Sequence, residues 1–239
     1  MKFASKSEQV HYIFSHIAKR YDLMNSVLSF SQHKLWRSFA NQKISKVLLP
    51  GGSAIDVCAG TGDWSIALAE MVGSDGRVVA LDFCQEMLDV AAPKFARKGV
   101  ERQTNLVLGD AMRLPYPDNE FDVATIGFAL RNVPGISGAL SEMMRVVKPG
   151  GMVVSLELSK PTWPPFRALY YFYFYKLLPV LGRFAVGGWE PYRYLPNSLT
   201  EFPGQSELAN LFASVGMLDV EVYPLTGGIA AVHIGRKPR

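Results

Sequence analysis

Residues 56–64 read DVCAGTGDW, an apolar run that closes on two glycines between flanking carboxylates. Gly60 and Gly62 fall where a short strand, SAIDVC (53–58), gives way to a helix over 63–72. In an open α/β sheet, ligands bind outside the carboxyl ends of the strands, where the strand order reverses. Glycines there let the backbone approach a ligand and take dihedrals that side chains disfavour. Asp82 ends the next strand, RVVALD (77–82), twenty residues after Gly62. A carboxylate at that place accepts hydrogen bonds from a ribose diol. The dinucleotide fingerprint wants a third Gly or Ala, and Ser65 stands in that position. A loop that does not cradle a pyrophosphate is free of that requirement.

Short β-branched runs alternate with helices on either side of this loop. A helix over 84–97 is followed by strands TNLVLGD (104–110) and FDVATIGFAL (121–130), a helix near 137–147 and the strand GMVVSLEL (151–158). Such alternation implies crossovers and a parallel sheet covered on both faces. The end of the chain differs. LDVEVYPL (218–225) and IAAVHIGR (229–236) are separated only by Thr226, Gly227 and Gly228, too short a link for a parallel crossover, so they form an antiparallel hairpin. The expected fold is therefore α/β, and its pattern resembles the Rossmann-like class I methyltransferase architecture. It has a mostly parallel seven-stranded sheet with an antiparallel C-terminal hairpin strand. At 239 residues the chain suits one domain. We divide it into an N-terminal helical cover (1–48) broken near Tyr21 and Asp22, a binding core (49–159), an inserted lid (160–203), and a final helix and hairpin (204–239).

Composition narrows the class of protein. Lys and Arg total 25 against 21 Asp and Glu, a formal +4 without dense basic runs, which argues against a nucleic-acid partner. Cys58 and Cys84 are the only cysteines and form no C-x-x-C pair, so neither a disulfide framework nor a zinc site is expected. The opening MKFASKSEQVHYIF carries no secretory apolar core. The most apolar stretch, 163–189, is interrupted by Lys176, Pro179, Gly182 and Arg183, short of the about 20 apolar residues of a membrane-spanning helix. A cytoplasmic location is expected.

A ligand with ribose and adenine, no phosphate and a cationic amino-acid tail fits this loop: S-adenosylmethionine. Asp56, at the end of the first strand, is placed to receive the ammonium directly or through water, or else only to order the loop. Asp82 with Gln85 also fits a helix capping box. In GDAMRLPYPDNEFD (109–122), Asp110 and Ala111 end the third strand beside the same crevice, suited to the adenine amino group and a ring nitrogen. Asp110 also suits a plain turn.

With these residues in place the chain resembles the ubiquinone/menaquinone-biosynthesis C-methyltransferase family over nearly its whole length. YDLMNSVLSFSQHKLWR (21–37), DVCAGTGDW (56–64), LPYPDNEFD (114–122), GFALRNVP (127–134), RVVKPGG (145–151), YRYLPNS (192–198) and TGGIAAVHIG (226–235) carry the likeness in the family's order. Details in three of these, CAGTGDW, GFALRNVP and TGGIAAVHIG, are closest to the branch that methylates demethylmenaquinol. The resemblance implies S-adenosylmethionine contacts at Thr61, Asp82, Asp110 and Ala111, beside Gly60, Gly62 and Tyr21. It implies an enzyme completing menaquinone biosynthesis on a prenylated naphthoquinol. A prenylated benzoquinol acceptor and an inactive scaffold subunit stand as alternatives, the latter opposed by the intact Asp56, Gly60, Gly62 and Asp82 set. Some members carry a Ser before the Arg-Asn pair, where this chain has Gly127, and that contact is not carried over.

The implied chemistry moves a methyl group from a sulfonium to a ring carbon, in line, and releases one proton. No metal is required. Arg131 is too basic to act as a free base, but suits a quinolate oxygen or a proton-accepting water. It equally suits pairing with a surface carboxylate. Asn132 can fix the same water. Tyr21, Asp22 and Asn25 are assigned to the N-terminal cover over the donor, and Tyr192 and Tyr194 to the lid near the ring hydroxyls. Each of these five also suits a core or capping role. His233 and His33 read as structural. The segment WPPFRALYYFYFYKLLPVLGRF (163–184) interleaves aromatics with Arg167, Lys176 and Arg183. That composition fits a peripheral membrane contact through 163–189, and equally a lid packed in the core or the interface of a homodimer.

Overall fold

The computed structural model describes residues 3, 5–161, 167 and 198–239. The lid segment, apart from its ends and Arg167, lies outside these residues, as do Tyr192 and Tyr194. Seven strands form one sheet in the order β3-β2-β1-β4-β5-β7-β6. They are β1 (Ser53–Val57), β2 (Arg77–Asp82), β3 (Thr104–Leu108), β4 (Phe121–Gly127), β5 (Val147–Leu158), β6 (Leu218–Leu225) and β7 (Ala230–Arg236). β1 to β5 pair in parallel. β7 runs antiparallel to both neighbours, β5 and β6. The sheet is the expected one. Its order reverses between β1 and β4, which opens a crevice at their carboxyl ends.

Helices cover both faces, as near-continuous apolar strands require. One face packs on α3 (Gln32–Ile44), α4 (Asp63–Val72) and α5 (Gln85–Lys98) through Trp36, Ile44, Leu68 and Phe95. The other packs on α6 (Ile136–Val146) and α7 (Gln205–Ser214) through Leu140, Met143 and Phe212. Two indole N–H groups tie α3 to the core. Trp36 Nε1 donates to Thr226 Oγ1 at 2.7 Å, and Trp64 Nε1 donates to Asn41 Oδ1 at 2.8 Å.

The N-terminal cover departs from the expected two segments. α1 (Lys6–Ile17), capped by Ser5, passes through a short 3-10 turn into α2 (Tyr21–Leu28), and a second break precedes α3. There Phe30 and Ser31 take left-handed φ values of 48° and 60°. The Ser29 hydroxyl stands between Asn25 O at 2.7 Å and His33 Nδ1 at 2.7 Å, supporting the turn without glycine or proline. β4 stops at Gly127 rather than 130 because Phe128 turns left-handed, φ 57°. β5 starts four residues earlier than expected, at Val147, through a register shift against β4.

Candidate active site

The carboxyl ends of the central strands surround a cavity of 370 Å³, within the about 300–1,000 Å³ usual for small-molecule sites. Tyr21, Gly60, Asp82, Asp110, Ala111 and Asn132 line it. A smaller polar recess of 50 Å³ shares Tyr21 and Gly60 with it and is bounded by Asp56 and Thr61. These residues, with Asp22 and Asn25 in the recess, thus meet in two adjoining spaces, while Arg131 lines neither. Gly62 stands behind the loop: its φ is 77°, and a Cβ there would overlap the Phe95 ring of α5. Helix packing as well as backbone conformation therefore demands glycine at that position.

Asp82 organises the loop. Its Oδ2 accepts from Gly60 N at 2.8 Å and its Oδ1 from Cys84 N at 2.9 Å. Burial raises its pKa, opposed by these amide bonds. The capping-box alternative is not formed, since Gln85 turns along its own helix to Asp89 at 2.8 Å. Cys58, between strand and loop, takes φ 56°, a backbone strain of about 1–3 kcal/mol for a residue with a side chain. Burial and the surrounding carboxylates hold its thiol well above the ordinary range.

Asp56 lies deeper. It accepts from Ser65 Oγ at 2.7 Å and Thr125 Oγ1 at 2.8 Å. Burial raises its pKa to about 6 against those two hydroxyls. The loop-ordering role proposed for it in the sequence is thus present in the structure, while its place in the recess leaves it able to answer a cation.

The cover is tied down by a charge network that no local pattern announces. Thr61 Oγ1 donates to Asp22 Oδ1 at 2.5 Å, and Lys94 Nζ of α5 reaches Asp22 at 2.7 Å and Asp63 at 2.5 Å. Arg37 of α3 closes it on Asp63 at 3.2 Å. Four helices converge on the glycine loop in this way. Tyr21 bonds Asn25, and burial raises the pKa of its phenol. Among the described residues, His11, Cys84 and Glu86 also bring potential metal ligands within 4.8 Å of one another. Burial pushes the Cys84 thiol up to about 12, so it is protonated at neutral pH.

Arg131 is buried, 8% exposed, and its partner is Glu157, 1% exposed, rather than a surface carboxylate. Arg131 Nη1 donates to Glu157 Oε2 at 3.0 Å and to Phe128 O at 2.6 Å. Glu157 Oε1 accepts from Leu130 N at 2.7 Å. Arg131 Nε is buried with no hydrogen-bond partner. Glu157 escaped the sequence reading because it sits inside the apolar run GMVVSLEL. A lone carboxylate at the carboxyl end of a buried strand was the signal available. Asp110 is exposed and its Oδ1 accepts from Met112 N at 2.9 Å, so its turn role is real. His33 and His233 are buried, with Nδ1 of His33 on Ser29 and Nε2 of His233 near Gln205 O at 2.9 Å. Both have lowered pKa values from burial.

Gly127 explains the departure noted in its motif. A Cβ there would stand 2.9 Å from the Trp64 ring. This chain fills with an indole the space that a serine would need.

A sheet with one antiparallel strand near its end, a glycine loop after β1 and a carboxylate closing β2 define a class: the S-adenosylmethionine-dependent methyltransferases of class I topology. Within that class, the chain belongs to the ubiE/COQ5 methyltransferase family, which it matches over residues 2–237. The demethylmenaquinone methyltransferase of Geobacillus stearothermophilus is 49% identical over 233 residues, covering 98% of both chains. That of Bacillus cereus is 49% identical over 234 residues, again 98% of both. At the level of fold, a SAM dependent methyltransferase from Aquifex aeolicus has a TM-score of 0.59 at 20% identity, covering 82% of this chain and 88% of that one. Phosphoethanolamine N-methyltransferase 2 of Haemonchus contortus, in complex with S-adenosyl-L-methionine, has a TM-score of 0.60 at 15% identity, covering 84% and 52%.

Proposed function

We propose that this enzyme methylates a ring carbon of demethylmenaquinol, giving menaquinol, with S-adenosyl-L-methionine as donor. The observation that carries the acceptor is the 49% identity, over 98% of both chains, to demethylmenaquinone methyltransferases. The geometry of the crevice supports the donor. Asp82 and Gly60 face the ribose, Asp110 and Ala111 the adenine, and Asp56 with Thr61 the amino-acid tail.

When bound, the donor supplies an electrophilic methyl on a sulfonium. The protein holds the quinol carbon in line with it, and one water, held in place, takes the ring proton. Arg131, buried behind a cavity wall to which Phe128, Ala129 and Asn132 contribute, supplies a positive charge that favours the more nucleophilic quinolate anion. Asn132, on the cavity wall, fixes that water. Tyr21 closes the site from the cover. This chemistry calls for no metal, since the methyl is already activated by the sulfonium charge. The acceptor carries a prenyl tail that resides in a bilayer, so the enzyme meets it at the membrane surface from the cytoplasm.

The test is incubation with a methyl-labelled donor and a reduced prenylated naphthoquinol, a prenylated benzoquinol alongside, with and without a chelator. Label is expected on the naphthoquinol in both conditions. Label on the benzoquinol alone overturns the acceptor, and label on neither overturns the enzyme reading.

A further inference from the structure

Seven large apolar side chains are exposed among the described residues, and four of them fall within residues 23–35: Leu23 at 58%, Val27 at 38%, Phe30 at 72% and Leu35 at 63%. Scattered apolar residues on a surface are ordinary, but a cluster marks an interaction site. The helix geometry shows how it arises. On α2, Tyr21 and Asn25 face the recess, Asp22 bonds Thr61, and Met24 packs on Ile13 and Ile17. Leu23 and Val27, one turn apart, are left on the outer side. Phe30 follows in the left-handed turn, and Leu35 stands in the first turn of α3.

The same stretch carries exposed cations, Lys19 and Lys34, while the only acid between residues 19 and 35, Asp22, is engaged by Lys94. An apolar patch with a cationic rim is what an anionic bilayer attracts, its apolar side chains entering the headgroup boundary while the cations stay at the phosphates. A second copy of the chain is disfavoured by the same rim. A two-fold interface repeats the patch on both sides and sets these cations against one another.

We propose that the outer face of α2 and the turn after it dock the enzyme on an anionic bilayer, with the crevice entrance that α2 covers held at the lipid surface. The proposal rests on the prenylated quinol acceptor only for its purpose, since docking itself is independent of chemistry. It places the contact on the N-terminal cover.

Flotation with vesicles of phosphatidylcholine, with and without phosphatidylglycerol, tests it. The full chain is expected to float with the anionic vesicles and to be released by salt. Leu23→Ser with Phe30→Ser is expected to lower binding about tenfold per side chain. S-adenosylmethionine affinity and methyl transfer to a short-tailed, water-soluble naphthoquinol should be unchanged. Lys19→Glu with Lys34→Glu, both at exposed positions, carries the same expectation if the serine pair fails to fold. Wild-type protein that ignores anionic vesicles, or variants that bind them as well, overturns the proposal. So does a change of oligomeric state in the variants with vesicle binding intact. Binding without methylation of either quinol instead removes the functional reading and leaves the docking surface standing.

Discussion

The Gly60 amide donates to the Asp82 carboxylate at 2.8 Å, so the glycine loop after β1 is held by the last residue of β2. The carboxylate expected to meet the ribose is also the brace of the loop that meets the rest of the donor. Asp82→Ala removes both roles and leaves the Gly60 amide of the loop and the Cys84 amide ahead of α5 without their acceptor, at about 1–3 kcal/mol for each one buried. A loss of S-adenosylmethionine affinity of at least about tenfold should follow in calorimetry, with Asp82→Asn in between because one acceptor oxygen remains. Unchanged affinity in the Ala variant counts against the ribose assignment.

Glu157 and Arg131 form a second such relationship, at the end of β5. Glu157→Ala leaves a buried guanidinium without counter-charge and is expected to cost about 3–5 kcal/mol of stability. Glu157→Gln keeps the volume and one acceptor, and should lower kcat about 10- to 100-fold, on the scale of other orienting partners, with donor affinity unchanged. If Glu157 works by positioning Arg131, the Arg131→Ala, Glu157→Gln double variant is no slower than Arg131→Ala alone. Additive losses show that Glu157 supports only the fold.

The Gly127–Trp64 contact predicts a linked pair of substitutions. Gly127→Ser drives its Cβ to 2.9 Å from the indole and should cost about 1–3 kcal/mol in denaturant unfolding, the usual cost of overpacking. Trp64→Leu vacates that space at its own cost. The double variant should lose clearly less than the sum, and strict additivity means the ring is not what excludes a side chain at 127.

The sheet was legible because strand endings carry glycines and carboxylates, and because a three-residue link between β6 and β7 admits only a hairpin. The donor loop was legible for the same local reason. Other features depend on residues brought together only by folding. The break before α3 uses Phe30 and Ser31, which carry no turn signature. Lys94 reads as an exposed residue of α5 until α2 and α4 bring Asp22 and Asp63 to it. Glu157 is camouflaged by the apolar strand that buries it. Asp56 was readable as either ligand or brace, because one strand-end carboxylate serves either purpose and only the meeting with Ser65 and Thr125 shows the second.

Asp56 offers a test of that double reading through pH. Burial lifts its pKa from 3.8 to about 6, so between those values the folded protein holds a proton that the unfolded chain has released. Stability therefore falls as pH rises through this window, by about 2–3 kcal/mol from this group alone. Asp82 and Glu157, also raised by burial, add to the same slope. Asp56→Asn cannot titrate, so the difference in unfolding free energy between wild type and variant should change by that amount between pH 4 and about 6 and stay level above. A donor ammonium beside Asp56 favours the ionised form, which makes wild-type affinity for S-adenosylmethionine climb toward neutral pH by up to about tenfold per unit below 6. In Asp56→Asn that part of the climb should vanish. If the stability difference follows pH as described while the two affinity profiles run parallel, Asp56 braces the loop and does not receive the ammonium.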